Sequence, residues 1–429
     1  MSITRRRSLA TTAAAAAATL AAPRISRGQA ASSIELWTFL DPNGRGVRSE
    51  LLKEILKGFE DSNPGATVRV NIIQWTEISP QLLRAARAGN VPDVVMLYSP
   101  FMTTHVQAGT LLPLDEFMKQ WPQSRRDDTV VLPIGKDRQG RTHALPWELR
   151  VFGMLYRLDL LKAASLELPR TLDDMVKVAA ALQKPGLHGL GWSMHTATST
   201  TPIEFVMPQM IAQGSRILTD DGAAAFAGAG TERVLQFAHD VVNKHKILSQ
   251  DIALMPSDDV QNLGIGGQVA MMMNGSHRLT TVQERSQPGV QWSFMTFPPL
   301  EASKPAPVSL QGWGLGIPRR AKNPQLAWKL IDLWTSASVQ KAQAIRAGYL
   351  PMVRSVAADP QFATGLNAQF RLPEAVESAA RTPLNFAWPE NSDALNDALG
   401  RMTQQVIANR MPIRDAIAFG EKTYNELRR

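Results

Sequence analysis

Between residues 34 and 97 the chain alternates strand-like and helix-like patterns, and this order limits the fold more than any other feature. Residues 34–39, with Ile34, Leu36 and Phe39, form a β-branched and aromatic run that reads as a strand. Val47, Leu51, Leu52, Ile55, Leu56 and Phe59 then share one helical stripe, which stops at the turn formers Asn63, Pro64 and Gly65. Val68, Val70 and Ile72 alternate with Arg69 and Asn71, the period of a half-buried strand. After a helix around 82–88, Pro92 and Asp93 open a continuous apolar run at 94–97, which suits a strand covered on both faces. Strand and helix in strict alternation imply an α/β layer architecture.

The pattern restarts near Leu145, Pro146 and Trp147 with a strand expected at 151–156. Helices are expected at 171–182, 202–213 and 231–244, and a short buried strand at 269–273 closed by an Asn274-Gly275 turn. The proline-rich stretch from 298 to 307 reads as a crossover. Asn323 and Pro324 offer an N-cap and a first-turn proline to a helix carrying Ala327, Leu330, Ile331 and Trp334. The last fifty or so residues read as helical.

Composition excludes several functions. None of the 429 residues is cysteine, which removes disulfides, thiolate metal sites, thiol catalysis and a lipidated N-terminal cysteine. The net charge of +8 falls to +3 once the five arginines of residues 1–30 are set aside, so no nucleic-acid partner is expected. Those thirty residues read as an export signal: Arg5, Arg6 and Arg7, an alanine-rich run, and small residues ending at Ala30. Thr4 to Leu9 also resembles a twin-arginine signal, with an ordinary secretory signal as the alternative. Either route places a soluble mature protein in a periplasm.

Motifs of catalysis are missing. Gly312, Gly314 and Gly316 do not make a dinucleotide fingerprint, and neither a phosphate-binding loop nor a nucleophile elbow is present. The seven histidines have no zinc spacing, so neither metal nor cofactor is expected. Asp41, Glu77, Glu148 and Glu204 could pair as glycosidase carboxylates only if folding brought two together. Tryptophan says more. Trp37, Trp75, Trp147, Trp192, Trp313 and Trp388 stand at strand ends, beside glycines or in loops, where indole faces suit sugar rings. Trp328 and Trp334, at helical spacing, read as core.

Four segments in order resemble the extracellular solute-binding proteins of ABC sugar importers, the family that includes the maltose-binding protein. Phe59-Glu60 with Asn63-Pro64-Gly65 and Val68 is similar to that family's opening. Pro92-Asp93-Val94 leading to Ala108-Gly109 and Leu114-Asp115 resembles its second segment. Leu155-Tyr156-Arg157-Leu158 with Pro169 and Thr171 resembles the third. Gly267-Gln268-Val269-Ala270-Met271 and Gly312-Trp313-Gly314 resemble the fourth, which Lys322-Asn323-Pro324 and Gly348-Tyr349-Leu350-Pro351 complete. The resemblance implies a two-lobed periplasmic-binding-protein fold of type II. Its lobes would comprise 31–143 with 306–352, and 144–305 with 353–429. It further implies a monomeric carbohydrate binder without catalysis, which delivers its ligand to an ABC permease in the inner membrane.

Carried over residue by residue, the resemblance implies ligand contacts from Trp37, Asp41, Trp75, Tyr98 and Ser99 in the first lobe. From the second it implies Trp147, Glu148, Arg150, Trp192, Asn274, Gly275 and His277. Gly312, Trp313, Tyr349 and Trp388 complete the set. Two departures stand out: His277 replaces a common tryptophan, and Arg150 puts a cation where an acid is familiar. A guanidinium can clamp a carboxylate or phosphate or pair with a neighbouring acid. Uronates and glycerol-phosphate compounds therefore stand beside neutral sugars as alternative ligands, and an exported carbohydrate-active enzyme is the alternative of another class.

Overall fold

The computed structural model describes residues 32–428, apart from 133, 134, 197, 385, 387 and 390. The export signal expected at 1–30 lies outside the described residues. Among the described residues there are eight strands: β1 (Ser32–Thr38), β2 (Ala66–Ile72), β3 (Val94–Tyr98), β4 (Ala144–Arg157), β5 (His188–Gly191), β6 (Val269–Gly275), β7 (Trp292–Thr296) and β8 (Leu310–Gly316). Their order is β2-β1-β3-β8-β4-β6-β5, with β7 also on β4. β1 is parallel to β2 and β3, and β5 to β6, whereas β8 is antiparallel to β3 and β4.

The fourteen-residue β4 joins two sheets. Residues 144–151 pair with β8, while Phe152 to Tyr156 pair with β6 and Gly153 to Arg157 with β7. Period-2 geometry divides its side chains: Leu155 enters one core cluster, Met154 and Tyr156 the other. The β4–β8 register slips between Pro146 and Glu148. Pro146 has no amide to donate, so a bulge is where a central strand can accept it. Gly312 sits against this bulge, where a Cβ would lie 2.1 Å from the Glu148 carbonyl oxygen.

One core cluster gathers β1, β3 and β8 with helix α1 (Val47–Ser62), whose buried stripe holds Leu51, Leu52, Ile55 and Phe59. It extends through Trp292 and Phe294 of β7 to buried side chains between Val353 and Ala379. The other gathers β5, part of β6, the helices Leu172–Leu182 and Ala229–Asn243, and side chains between Ala394 and Tyr424. Fold class and strand–helix order agree with the sequence expectation.

Local details differ. Asn274 and Gly275 make no turn: β6 continues through them, opposite Gly153 and Phe152. Asn323 gives no side-chain cap, and its backbone amide donates instead to Asp93. The expected helix at 202–213 opens as a π-turn, Pro202–Val206, before the α-helix Met207–Ala212. β5, β7 and β8 had no distinct sequence signal, because they are short or glycine-rich and so lack apolar alternation.

Candidate functional site

The carboxyl ends of β1, β2, β3, β5 and β6 converge on one cleft between the two sheets. Open α/β sheets place ligands there because loops, not packed side chains, follow each strand end. The cleft encloses about 220 Å³. Phe39, Arg48, Gln74, Trp75, Tyr98 and Trp313 line it from the first sheet and its helices. From the second come Phe152, Ser193, the hydroxyl run Thr198 to Thr201, Ser257, Asp258, Val260, Met273, Asn274, His277 and Arg278. Arg150 of β4 lies between them.

The aromatic wall is continuous. Trp313 packs with its centroid 4.4 Å from Phe39 and 5.4 Å from Tyr98, and Trp75 meets Tyr98 edge-on at 6.4 Å. Arg150 lies 4.1 Å above the Tyr98 ring, donates from Nη2 to Glu204 Oε1 at 3.2 Å and places Nη1 3.0 Å from His277 Nε2. The Tyr98 hydroxyl donates to the same Glu204 oxygen. Thr200 donates to the other at 2.6 Å. Burial drives the Tyr98 hydroxyl well up in pKa. Burial and the positive charges of Arg150, Arg278 and Arg48 hold His277 well below its ordinary value, so the imidazole is neutral. Burial pushes the Glu148 carboxyl up against the opposing pull of Arg48, whose Nη2 is 3.8 Å away.

The structure brings six of the expected residues to the cavity: Trp75, Tyr98, Arg150, Asn274, His277 and Trp313. The other ten do not line it. Trp37 is one pleat too early, and its indole donates to Glu35 on its own strand at 3.0 Å. Asp41 is exposed and accepts from the Asn43 amide. Ser99 is fully buried, donating to Gln311 and accepting from the Gly312 amide. Trp147 packs in the core between Trp334 and Tyr349, and Tyr349 accepts from Arg48. Glu148 is fully buried behind the wall. Trp192 is edge-on to Phe205 within the second core. Gly275 makes room, since a Cβ would fall 2.5 Å from His277 Nδ1, and Gly312 serves the bulge. Trp388 packs on Phe386 in a separate surface groove.

Sequence reasoning missed Phe39, Arg48, the hydroxyl run, Asp258 and Arg278. The run Thr198-Ser199-Thr200-Thr201, so dense in short hydroxyls, was a readable signal. The arginines had none, since nothing in their spacing distinguishes a cleft cation from a surface one. Among the described residues no cluster of three His, Asp or Glu could hold a metal.

The model of the bacterial extracellular solute-binding protein family matches residues 54–369. The chain belongs to that family. This solute-binding protein is 23% identical over 354 residues to a binding protein of Brucella abortus, covering 81% of this chain and 83% of the other. It is also 23% identical to the maltotriose-binding protein of Pyrococcus abyssi, over 76% of this chain and 68% of that one. Its fold matches the ABC transporter solute-binding protein of Thermotoga lettingae bound with α-D-tagatose: the TM-score is 0.79 at 21% identity, over 93% and 100% of the two chains. The maltose-bound MalE3 of T. maritima matches with a TM-score of 0.78 at 22% identity, over 92% and 100%. No helix among the described residues of this solute-binding protein is long and apolar enough to cross a membrane.

Proposed function

We propose that the protein captures a sugar or short oligosaccharide in the cleft and delivers it, unchanged, to an ABC permease in the inner membrane. The observation that carries this reading is the wall itself: Phe39, Trp75, Tyr98 and Trp313 face a run of hydroxyl and amide side chains across an enclosed space. Aromatic faces stack on the C–H faces of a sugar ring while hydroxyls and amides exchange hydrogen bonds with its rim. The tagatose and maltose held by the structural relatives support the same class.

The ligand contacts we assign are Trp75, Tyr98, Arg150, Asn274, His277 and Trp313, with Phe39 and the hydroxyl run added. The lobes we assign are 31–143 with 306–352 and 144–305 with 353–429, hinged through β4, with the first core cluster continuing across their boundary to Trp292, Phe294 and residues 353–379, and with closure about the ligand. The protein acts as a monomer in the periplasm after export through residues 1–30, and it has no catalytic role. Thermal unfolding of the mature chain against a panel of mono- and oligosaccharides tests this. A ligand at a hundred times its Kd stabilises the folded state by about 2.7 kcal/mol. A panel in which no sugar raises the midpoint would overturn the carbohydrate reading.

A further inference from the structure

Three arginines, Arg48, Arg150 and Arg278, stand in the cavity wall against a single carboxylate, Asp258. Each is engaged on part of its guanidinium only. Arg48 donates to Tyr349 and lies 3.8 Å from Glu148. Arg150 contacts Glu204 and His277. Arg278 donates from Nη2 to Asp258 at 2.7 Å. What remains is one-sided. Among the wall residues, the buried side-chain nitrogens and oxygens without a hydrogen-bond partner are Arg48 Nη2, Arg150 Nε, Arg278 Nε and Trp75 Nε1. All four are donors. The unpartnered buried acceptors, such as the Glu148 carboxylate oxygens, belong to residues behind or away from the wall.

Several wall acceptors that a neutral sugar's hydroxyls would seek already take a donor. Glu204 accepts from Tyr98, Arg150 and Thr200, Asp258 from Arg278, and Asn274 Oδ1 from the Gly275 amide. The three cations also repel one another, and each lowers the pKa of His277 between them. Glu148, Glu204 and Asp258 offset these charges one for one, so an oxyanion would be held by the unpartnered guanidinium N–H groups and not by excess positive charge.

We infer that the ligand carries a carboxylate or phosphate, which Arg48, Arg150 and Arg278 receive while the aromatic wall takes its carbon skeleton. This rests on the carbohydrate reading above and narrows it to acidic or phosphorylated sugars and polyols. A planar guanidinium fork matches either oxyanion in two-point geometry, which a lysine would not.

Calorimetric titration of the mature chain with matched probes tests it: glucose, glucuronate and glucose 6-phosphate; glycerol and glycerol 3-phosphate; inorganic phosphate and acetate alone. The expected result is at least tenfold tighter binding of an anionic member than of its neutral counterpart, with Arg278→Gln and Arg150→Gln each removing most of that preference. Glucuronate or the phosphate esters binding alone identifies which oxyanion is read. Neutral members binding as tightly as their acidic partners would overturn this inference and leave the carbohydrate reading intact. Phosphate or acetate binding as tightly as the sugar acids would retain the anion site and overturn the carbohydrate reading. Silence across the set would overturn this inference, and the carbohydrate reading is then decided by the sugar panel above.

Discussion

The Tyr98 hydroxyl, at the end of β3, donates to a carboxylate oxygen of Glu204, in the π-turn at 202–206, and so ties the two sides of the cleft together. Both groups are buried, and the acceptor also takes Arg150 and Thr200. In Tyr98→Phe the carboxylate keeps those two donors, so the loss is one hydrogen bond to a charged group. We expect about 1.5–3 kcal/mol lower stability by urea denaturation. A change under about 0.5 kcal/mol would mean the bond contributes nothing across the cleft.

Tryptophan position gives a second contrast. Trp313 packs on Phe39 and Tyr98 in the cavity wall, whereas Trp388 packs on Phe386 elsewhere. Trp313→Ala should weaken binding of the best ligand at least about tenfold, a difference of about 1.4 kcal/mol. Trp388→Ala should leave its Kd unchanged in the same titration. Equal losses in both variants would contradict this placement of the site.

Two glycines should respond with opposite signs. At Gly312 a Cβ meets the Glu148 carbonyl at 2.1 Å, a backbone atom that cannot turn aside, so Gly312→Ala should destabilise by about 1–3 kcal/mol. At Gly58, inside α1, the nearest atom is Leu333 Cδ2 at 3.7 Å. There Ala is accommodated and should stabilise by about 0.5–1 kcal/mol through helix propensity. Denaturation midpoints of the two variants, measured side by side, check both signs.

Asp393 makes stability depend on pH. Burial pushes its carboxyl up to about 7, even though it lies in the first turn of the helix Ser392–Ile407, where the dipole favours the charged form. The folded chain therefore holds this proton more tightly than the unfolded chain. The contribution is complete below the ordinary carboxyl range and is lost as pH rises through about 7. Asp393→Asn should match the parent protein near pH 4 and exceed it in stability at pH 8. An equal difference at both pH values would refute the assignment.

How much was legible follows physical scale. Apolar periodicity fixed α1 and β1 to β3 because each buries one face, and a face is a property of a few adjacent residues. Depth along a strand is not. Trp37 and Phe39 share parity on β1, yet Trp37 stays in the ladder beside Glu35 while Phe39, beyond the last paired residue, reaches Trp313. Trp147 and Trp192 looked equally suited to a cleft, but both are filled around by core side chains contributed from distant segments. Arg150 was visible as an anomaly. Its partner Glu204 was visible only as an acid, because fifty-four residues separate them.

The sharing of β4 has an evolutionary corollary. A chimera of two relatives joined inside Ala144–Arg157 would set one parent's half-strand against β8 and the other's against β6 and β7. Any such exchange would have to satisfy the pairing and packing of both sheets through one strand.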